Sequence, residues 1–500
     1  MVDFRKLNRP PTGDPDVPAH TVRISKLSQT LAVAATQLSL MWRERRLLWL
    51  ALSVLLLAGA SVATNAARLS SQAEERRAVA EEEALLWDSQ GVIDPHDAAH
   101  VGRAVPAPVR SLAAFDPGLS DFVGTSVFIE AHAQNPARHR PIEGGAALSR
   151  FGGFSAAWTL QIVAPLLIIL AGFATMSGAV ARERLRQELA AGASASVLVG
   201  GRLVALAVAA GLLALVMIGV SLPAIFLQGV SETEVAGLAA IGGAYALYLL
   251  MFCAFTVAAS GLFASARASL VVLLGFWAVS TLLVPRVAPA VAESLEPTPS
   301  APAFRAAVTE EAENGVDGHD PADERLNAIR DELLARYQVG DVEDLPVNFR
   351  GVSLEFAEEN STETYNRHFE QLYAVYHRQE VVQRAFAVIS PAVALQPWSR
   401  AFAGTDFRAH LAYLRGVEDY RYRLIQTLNH EVAANKPPPG ERYHLADIAT
   451  ITRDVVYEPR TERPSELARA QAPNLAILLV WTVLAIGLAA ASALRLGRRS

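Results

Sequence analysis

The stretch Ala181–Ser196, ARERLRQELAAGASAS, runs almost directly into Leu203–Pro223, LVALAVAAGLLALVMIGVSLP. A bilayer core about 30 Å thick needs roughly 20 apolar residues in helix, and the second stretch supplies them without one charged side chain. The first stretch reads as a short charged helix. Glu183 and Gln187 share a face, Arg184 and Glu188 are spaced i,i+4 for pairing, and the Ala-Gly-Ala-Ser-Ala-Ser tail ends it. A rigid charged helix between two apolar runs is a lever on which a cytoplasmic partner can act; the plainer alternative is a basic anchor with no partner.

Five more windows match this run: Leu47–Ala67, Ala157–Ser177, Ala236–Ser260, Ser269–Val287 and Pro473–Leu494. The composition agrees, since 52% of the 500 residues are hydrophobic and the mean hydropathy is +0.25, too apolar for a soluble chain of this size. A net charge of -6 leaves no overall basic face, which argues against nucleic acid as a partner. Basic residues alternate beside the spans: Lys26, Arg43, Arg45 and Arg46 before the first, Arg182 to Arg202 between the second and third, Arg267 between the fourth and fifth, and Arg495, Arg498 and Arg499 after the last. Short basic flanks stay cytoplasmic, so both termini are expected inside.

The predicted fold is therefore an all-α polytopic membrane protein with six transmembrane helices and a mainly helical extracytoplasmic domain between spans five and six. Residues 1–46 form a cytoplasmic segment in which Leu27–Leu40 suits an interfacial helix or an ordinary extension of span one. Gly59-Ala60-Ser61-Val62-Ala63 mimics a signal cleavage site, but the lead-in is too long. Of the first outer segment, 68–156, Glu74 to Leu86 continues span one as helix and Pro95–Pro141 reads as loop. Residues 178–202 couple spans two and three, a short outer turn lies near Gly229–Val235, and 495–500 is a cytoplasmic tail.

The large outer segment, 288–472, carries about 30 acidic and about 19 basic residues, so it has no basic retention signal. Phe369, Leu372, Tyr373 and Tyr376 recur at helical spacing, as do Leu414, Val417, Arg421, Leu424 and Leu428.

No span has a charge at its middle, which disfavours an ion-coupled carrier. Arg202 and Arg286 sit at span ends, where snorkelling explains them. Gln161, Tyr245, Tyr248, Ser280 and Thr281 are polar enough to line a path or to tie helices together, while Trp158, Trp277 and Trp481 read as anchors or filler. Ala207/Gly211 and Gly487/Ala491 have the small-xxx-small spacing of close helix contacts.

Catalytic motifs fail on inspection. Cys253 is the lone cysteine, so no intramolecular disulfide is available. His430-Glu431-Val432-Ala433-Ala434 lacks the second histidine of a zinc-protease helix, and Asp317–Glu324 lacks the ligand offsets of a calcium loop. With Lys6, Lys26 and Lys436 the only lysines, no Gly-x4-Gly-Lys-Ser/Thr loop exists. No catalytic residue, metal-ligand set or cofactor is expected, and uphill transport would draw its energy from another polypeptide.

Two groups of residues carry a family resemblance. Gly172-Phe173-Ala174, Ala181-Arg182-Glu183-Arg184 and Leu198-Val199-Gly200-Gly201-Arg202 resemble the second-span exit of ABC-2-type transporter permeases, where an Arg-Glu-Arg helix precedes Leu-Leu-x-Gly-Lys. This chain lacks the usual Gly-Thr after Arg-Glu-Arg and has Arg202 for the lysine. Asp344–Gly351, Tyr365–Phe369, Ile389-Ser390-Pro391 and Ala403–Phe407 resemble the DUF3526 group of such permeases. The resemblance implies an exporter subunit of the inner (plasma) membrane with its large domain periplasmic or extracellular. It further implies a second permease copy or paralogue and a separate ABC ATPase subunit that binds ATP and docks on Arg182, Glu183, Arg184, Arg186, Glu188 and Arg202. The outer domain would gate the path or meet an envelope adaptor. The alternative is a membrane-anchored extracytoplasmic binding or sensory protein without transport.

Overall fold

A computed structural model of the protein describes residues 25–138, 154–227, 231–313 and 324–498. The acid-rich stretch up to Asp323, the start of the turn expected near Gly229, the residues Phe151-Gly152-Gly153 and Arg499 lie outside these segments.

Helix α1 (Lys26–Arg43) starts where the Ser25 side chain accepts a hydrogen bond from the Ser28 amide. Helix α2 (Arg46–Asp88) runs 43 residues without a break, so the helix expected over Glu74–Leu86 is the C-terminal end of the first apolar helix. The expected loop over Pro95–Pro141 is partly ordered instead. After the short strand β1 (Val92–Ile93) come α3 (Pro95–Val101), β2 (Arg103–Pro106) and β3 (Ser126–Ile129), with β2 and β3 paired antiparallel. Its apolar residues follow no local period; Ala98, Val105, Val127 and Ile129 are ordered by a core that Tyr413, Val417, Leu424 and Leu428 complete from far along the chain.

Helix α4 (Ala156–Gly172) is apolar but shorter than a full span. The helix ends at Gly172, short of the window's Ser177, and Gly172 packs so closely that a Cβ there would stand 2.6 Å from Leu206 and Thr256. The chain then turns, and the Met176 amide donates to Ser260 Oγ at 2.8 Å. Helix α5 (Ala179–Ala190) leads to α6 (Ala195–Leu227), α7 (Glu232–Leu262) and α8 (Ala266–Leu295). With α2 and a C-terminal helix, Pro464–Gly497, these make five helices among the described residues that are long and apolar enough to cross a membrane. Both α4 and α8 contain a π-helical turn, Thr159–Val163 and Ala278–Leu283, just ahead of Pro165 and Pro285. Proline lacks the N–H that would close the regular ladder, and the wider turn absorbs the mismatch.

The small-xxx-small pairs do not carry the helix contacts: a Cβ on Gly211 or Gly487 would meet nothing within 4 Å. Close approach falls instead at Gly172 and at Gly201, where a Cβ would stand 2.5 Å from Val33 of α1.

Beyond α8 the chain builds α9 (Ala301–Glu313), α10 (Glu324–Tyr337), α11 (Phe349–Ala385), α12 (Pro391–Ala403), α13 (Phe407–Ala434), the short strand β4 (Ala446–Asp447) paired with β1, the turn helix α14 (Ile448–Ile451) and α15 (Pro464–Gly497). The two apolar stripes lie on α11 and α13. Helix α12 packs with the apolar bundle, because Ala392, Leu395, Trp398 and Phe402 join the same core as Tyr245 and Phe252. The Trp398 indole N–H donates to the Ala240 carbonyl at 3.0 Å, and Trp481 donates to the Ala387 carbonyl at 3.0 Å.

Candidate functional site

The charged lever is a defined helix. Gly178, at φ +87°, breaks the chain before α5, and the Ser194 side chain caps α6 by accepting from the Val197 amide. Only Leu185 of α5 is buried; Glu183 and Arg186 point to solvent and pair at 3.2 Å. Arg182 and Arg184 are half-buried beside them.

Glu188 does not pair with Arg184. Its carboxylate accepts from Arg202 at 2.7 Å. Arg202 is 1% exposed, so it does not snorkel but turns inward, donating also to the carbonyls of Leu198 at 3.1 Å and Thr175 at 3.4 Å. Burying a guanidinium is tolerable only with a carboxylate and carbonyls in this geometry. The result is a continuous link from α5 through Arg202 to the turn after α4, where Ser260 of α7 holds the Met176 amide. Of the six coupling residues, the structure joins Glu188 to Arg202 and Glu183 to Arg186, and leaves Arg182 and Arg184 outside those pairs.

The second group, Gln161, Tyr245, Tyr248, Ser280 and Thr281, is buried throughout. Gln161 Nε2 donates to the Tyr245 hydroxyl at 2.7 Å, Tyr245 meets Ser399 Oγ at 3.3 Å, and Ser399 donates to the Asp116 carboxylate. Since the Ser399 hydroxyl proton is directed at Asp116, the Tyr245 proton must point to Ser399, and the chain has one direction. Tyr248 donates to the Gln161 carbonyl at 2.8 Å, and Thr281 donates to the Trp277 carbonyl one turn back at 2.7 Å. The Ser280 carbonyl accepts from Ser390, the N-cap of α12. In this conformation these groups tie α4, α7 and α8 to α12 and to the segment between α2 and α4. Asp116, Ser390 and Ser399 were not readable as partners, because each is a single polar residue among mainly apolar neighbours and no local pattern connects it to the distant residue it meets.

Outside the bundle, Arg421 is the charged member of the α13 stripe and is buried with it. It donates to Glu418 on its own helix, to Glu358 of α11 and, at 2.7 Å, to Thr362. Burial alone would raise Glu358, but a hydrogen bond from His132 and the Arg421 charge bring it down to about 2. Burial raises Glu418 despite Arg421. Arg421 reads in the sequence as an oddity in an apolar stripe; its partners do not.

Residues 302–447 match the family model for DUF3526, a domain of unknown function. No curated protein matches the chain. The DUF3526 region spans α9 to β4, and the residues that carried the resemblance serve as its punctuation. Asn348 caps α11 by accepting from the Arg350 amide, Ser390 caps α12 and Asp406 caps α13. Gly404 ends α12 at φ +67°, a conformation open to glycine, and Gly351 lies so close to α13 that a Cβ would stand 2.1 Å from the Ala433 nitrogen. The DUF3526 region together with the apolar helices fits a membrane protein.

Proposed function

We propose that the chain is the membrane-spanning permease subunit of an ATP-driven ABC-2-type exporter, non-catalytic itself and powered by a separate ATPase. The observation that carries this reading is the short exposed charged helix α5, locked into the bundle through Glu188 and Arg202. A partner's nucleotide-driven movement delivered to Arg182, Glu183, Arg184 and Arg186 would pass through that lock to α4, α6 and α7. The polar seam through Tyr245 and Ser399 would carry it to α12 and the DUF3526 region. The reading takes α4 as the sixth span, the plasma membrane as the location, both termini as cytoplasmic and the DUF3526 region as extracytoplasmic. It also takes a second permease copy or paralogue to complete the path.

The test is reversal of Arg182, Glu183 and Arg184 together in the full chain expressed in its native membrane. Loss of a co-purifying, nucleotide-hydrolysing subunit supports the permease. Retention of the same partners with activity unchanged supports a membrane-anchored binding or sensory protein instead.

A further inference from the structure

The outer part of the molecule brings three histidines from two segments to one point. His96 and His100 lie four residues apart on α3, the helical spacing that puts two imidazoles on one face. His132 follows β3. One ring nitrogen of each lies within 4.8 Å of the others. The Nε2 atoms of His96 and His100 are 3.2 Å apart.

The surroundings prepare these rings. Asn429 of α13 donates its amide N–H₂ to the Leu354 carbonyl at 3.4 Å, which turns its oxygen toward His96 Nδ1 at 2.9 Å. That oxygen can only accept, so Nδ1 of His96 carries the proton and Nε2 presents a lone pair. Nδ1 of His132 faces the Glu358 carboxylate at 3.3 Å, leaving Nε2 of His132 for a ligand role. An imidazole held by a carboxylate or carbonyl oxygen on one nitrogen while the other points at a common centre is the support pattern of histidine metal ligands.

His132 is also held in an unusual backbone state, at φ +59°. Its amide donates to Glu358 at 2.9 Å, and Ser361 Oγ donates to its carbonyl at 3.0 Å. Non-glycine residues in this region cost free energy and persist where surrounding structure imposes them. Here α11 grips the backbone on both sides and aims the ring.

We infer that His96, His100 and His132 form a binding site for a divalent first-row transition ion such as Zn²⁺, which ties α3 to the turn after β3 while groups of α11 and α13 orient the ligands. Zn–N bonds of about 2.0–2.1 Å make the edge of a tetrahedron about 3.3 Å, close to the 3.2 Å between His96 and His100. The wider separation closes by rotation of the exposed His100 side chain or the half-buried His132 side chain. Three neutral imidazoles suit zinc, copper or nickel better than magnesium or calcium, which prefer oxygen. A three-histidine set leaves the fourth position to water or to an incoming donor.

The test uses the full chain in detergent, free of any polyhistidine tag, stripped with EDTA and titrated with Zn²⁺ alone and, separately, with Co²⁺. The expected result is one ion per chain at micromolar affinity or tighter, visible bands of tetrahedral Co²⁺, and a Zn²⁺-dependent rise in melting temperature. His100→Ala removes an exposed ligand, and His132→Asn keeps a residue that tolerates the left-handed backbone. Each should weaken Zn²⁺ binding about tenfold or more while the metal-free melting temperature stays near that of the parent. Absence of stoichiometric uptake by the parent chain, or uptake unaltered in both variants, overturns the site and leaves a hydrogen-bonded histidine cluster. These readouts involve neither transport nor an ATPase, so they stand apart from the permease reading.

Discussion

Glu188 Oε2 and a guanidinium nitrogen of Arg202 stand 2.7 Å apart although they are 14 positions apart in the chain. The pair closes the turn between α5 and α6 and fixes the angle at which the charged helix leaves the bundle. A loop anchored only by positive charge would need no such lock.

Breaking the pair from the buried side should free the helix without unfolding it. In Arg202→Met, a nitroxide attached through Arg186→Cys is expected to gain mobility in its electron paramagnetic resonance spectrum. Glu188→Ala is expected to lower stability by about 3 kcal/mol, because it leaves Arg202 buried without a carboxylate. Glu188→Gln, which keeps an acceptor, should cost less, and thermal melts in nanodiscs separate the two. An unchanged nitroxide spectrum would mean that the lock does not set the helix.

The directed chain from Gln161 to Asp116 makes Tyr245 its central member. Tyr245→Phe removes one hydroxyl and strands the Gln161 amide inside the bundle, at a cost of about 1–3 kcal/mol. Tyr245→Phe combined with Gln161→Leu should recover part of that loss, since the stranded donor is gone. A double-mutant cycle of melting temperatures reads the coupling.

Arg421 holds two buried carboxylates, Glu358 and Glu418. Arg421→Met alone is expected to cost about 3–5 kcal/mol by leaving them uncompensated. Arg421→Met with Glu418→Gln should be less damaging than the single change despite carrying more substitutions. Denaturation of the purified full chain compares them; equal or greater damage in the double variant would show that charge is not the cause.

Asp406 and His410, neighbours on the first turn of α13, should shape acid stability in opposite senses. Burial lifts Asp406 from 3.8 to about 6, so the folded state binds its proton earlier than the unfolded chain does, and this group adds stability as pH falls from 6 toward 4. Burial lowers His410 from 6.5 to about 4, so the folded state resists protonation and this group loses stability as pH falls from 6.5 to 4, by about 3 kcal/mol at the limit. Asp406→Asn, which keeps the cap, is expected to make the protein more acid-sensitive over that window. His410→Leu is expected to make it less so. Melting temperatures at pH 7, 5.5 and 4.5 should diverge in these two directions.

The long apolar helices were legible because hydrophobic length and helical periodicity are local properties, and α2, α6, α7, α8 and α15 each contain a predicted window. The early end of α4 was not, since the turn that follows it is held by distant groups, Ser260 on the Met176 amide and Arg202 on the Thr175 carbonyl, that no local pattern connects to it. The charged stretch at Ala181 showed a helix and a break at once, while the partner of Glu188 was misread because i,i+4 spacing competes with a fold that brings Arg202 nearer.

Composition and periodicity by themselves determined that this chain is helical, rich in membrane-length apolar segments and devoid of a phosphate-binding loop. Tertiary structure alone decided that α12 sits in the bundle core, that Tyr245 reaches Asp116 through Ser399, and that three histidines from two segments converge. The reason is range: a helix is specified within a few turns of sequence, whereas a buried polar contact depends on which distant segments the apolar cores pull together.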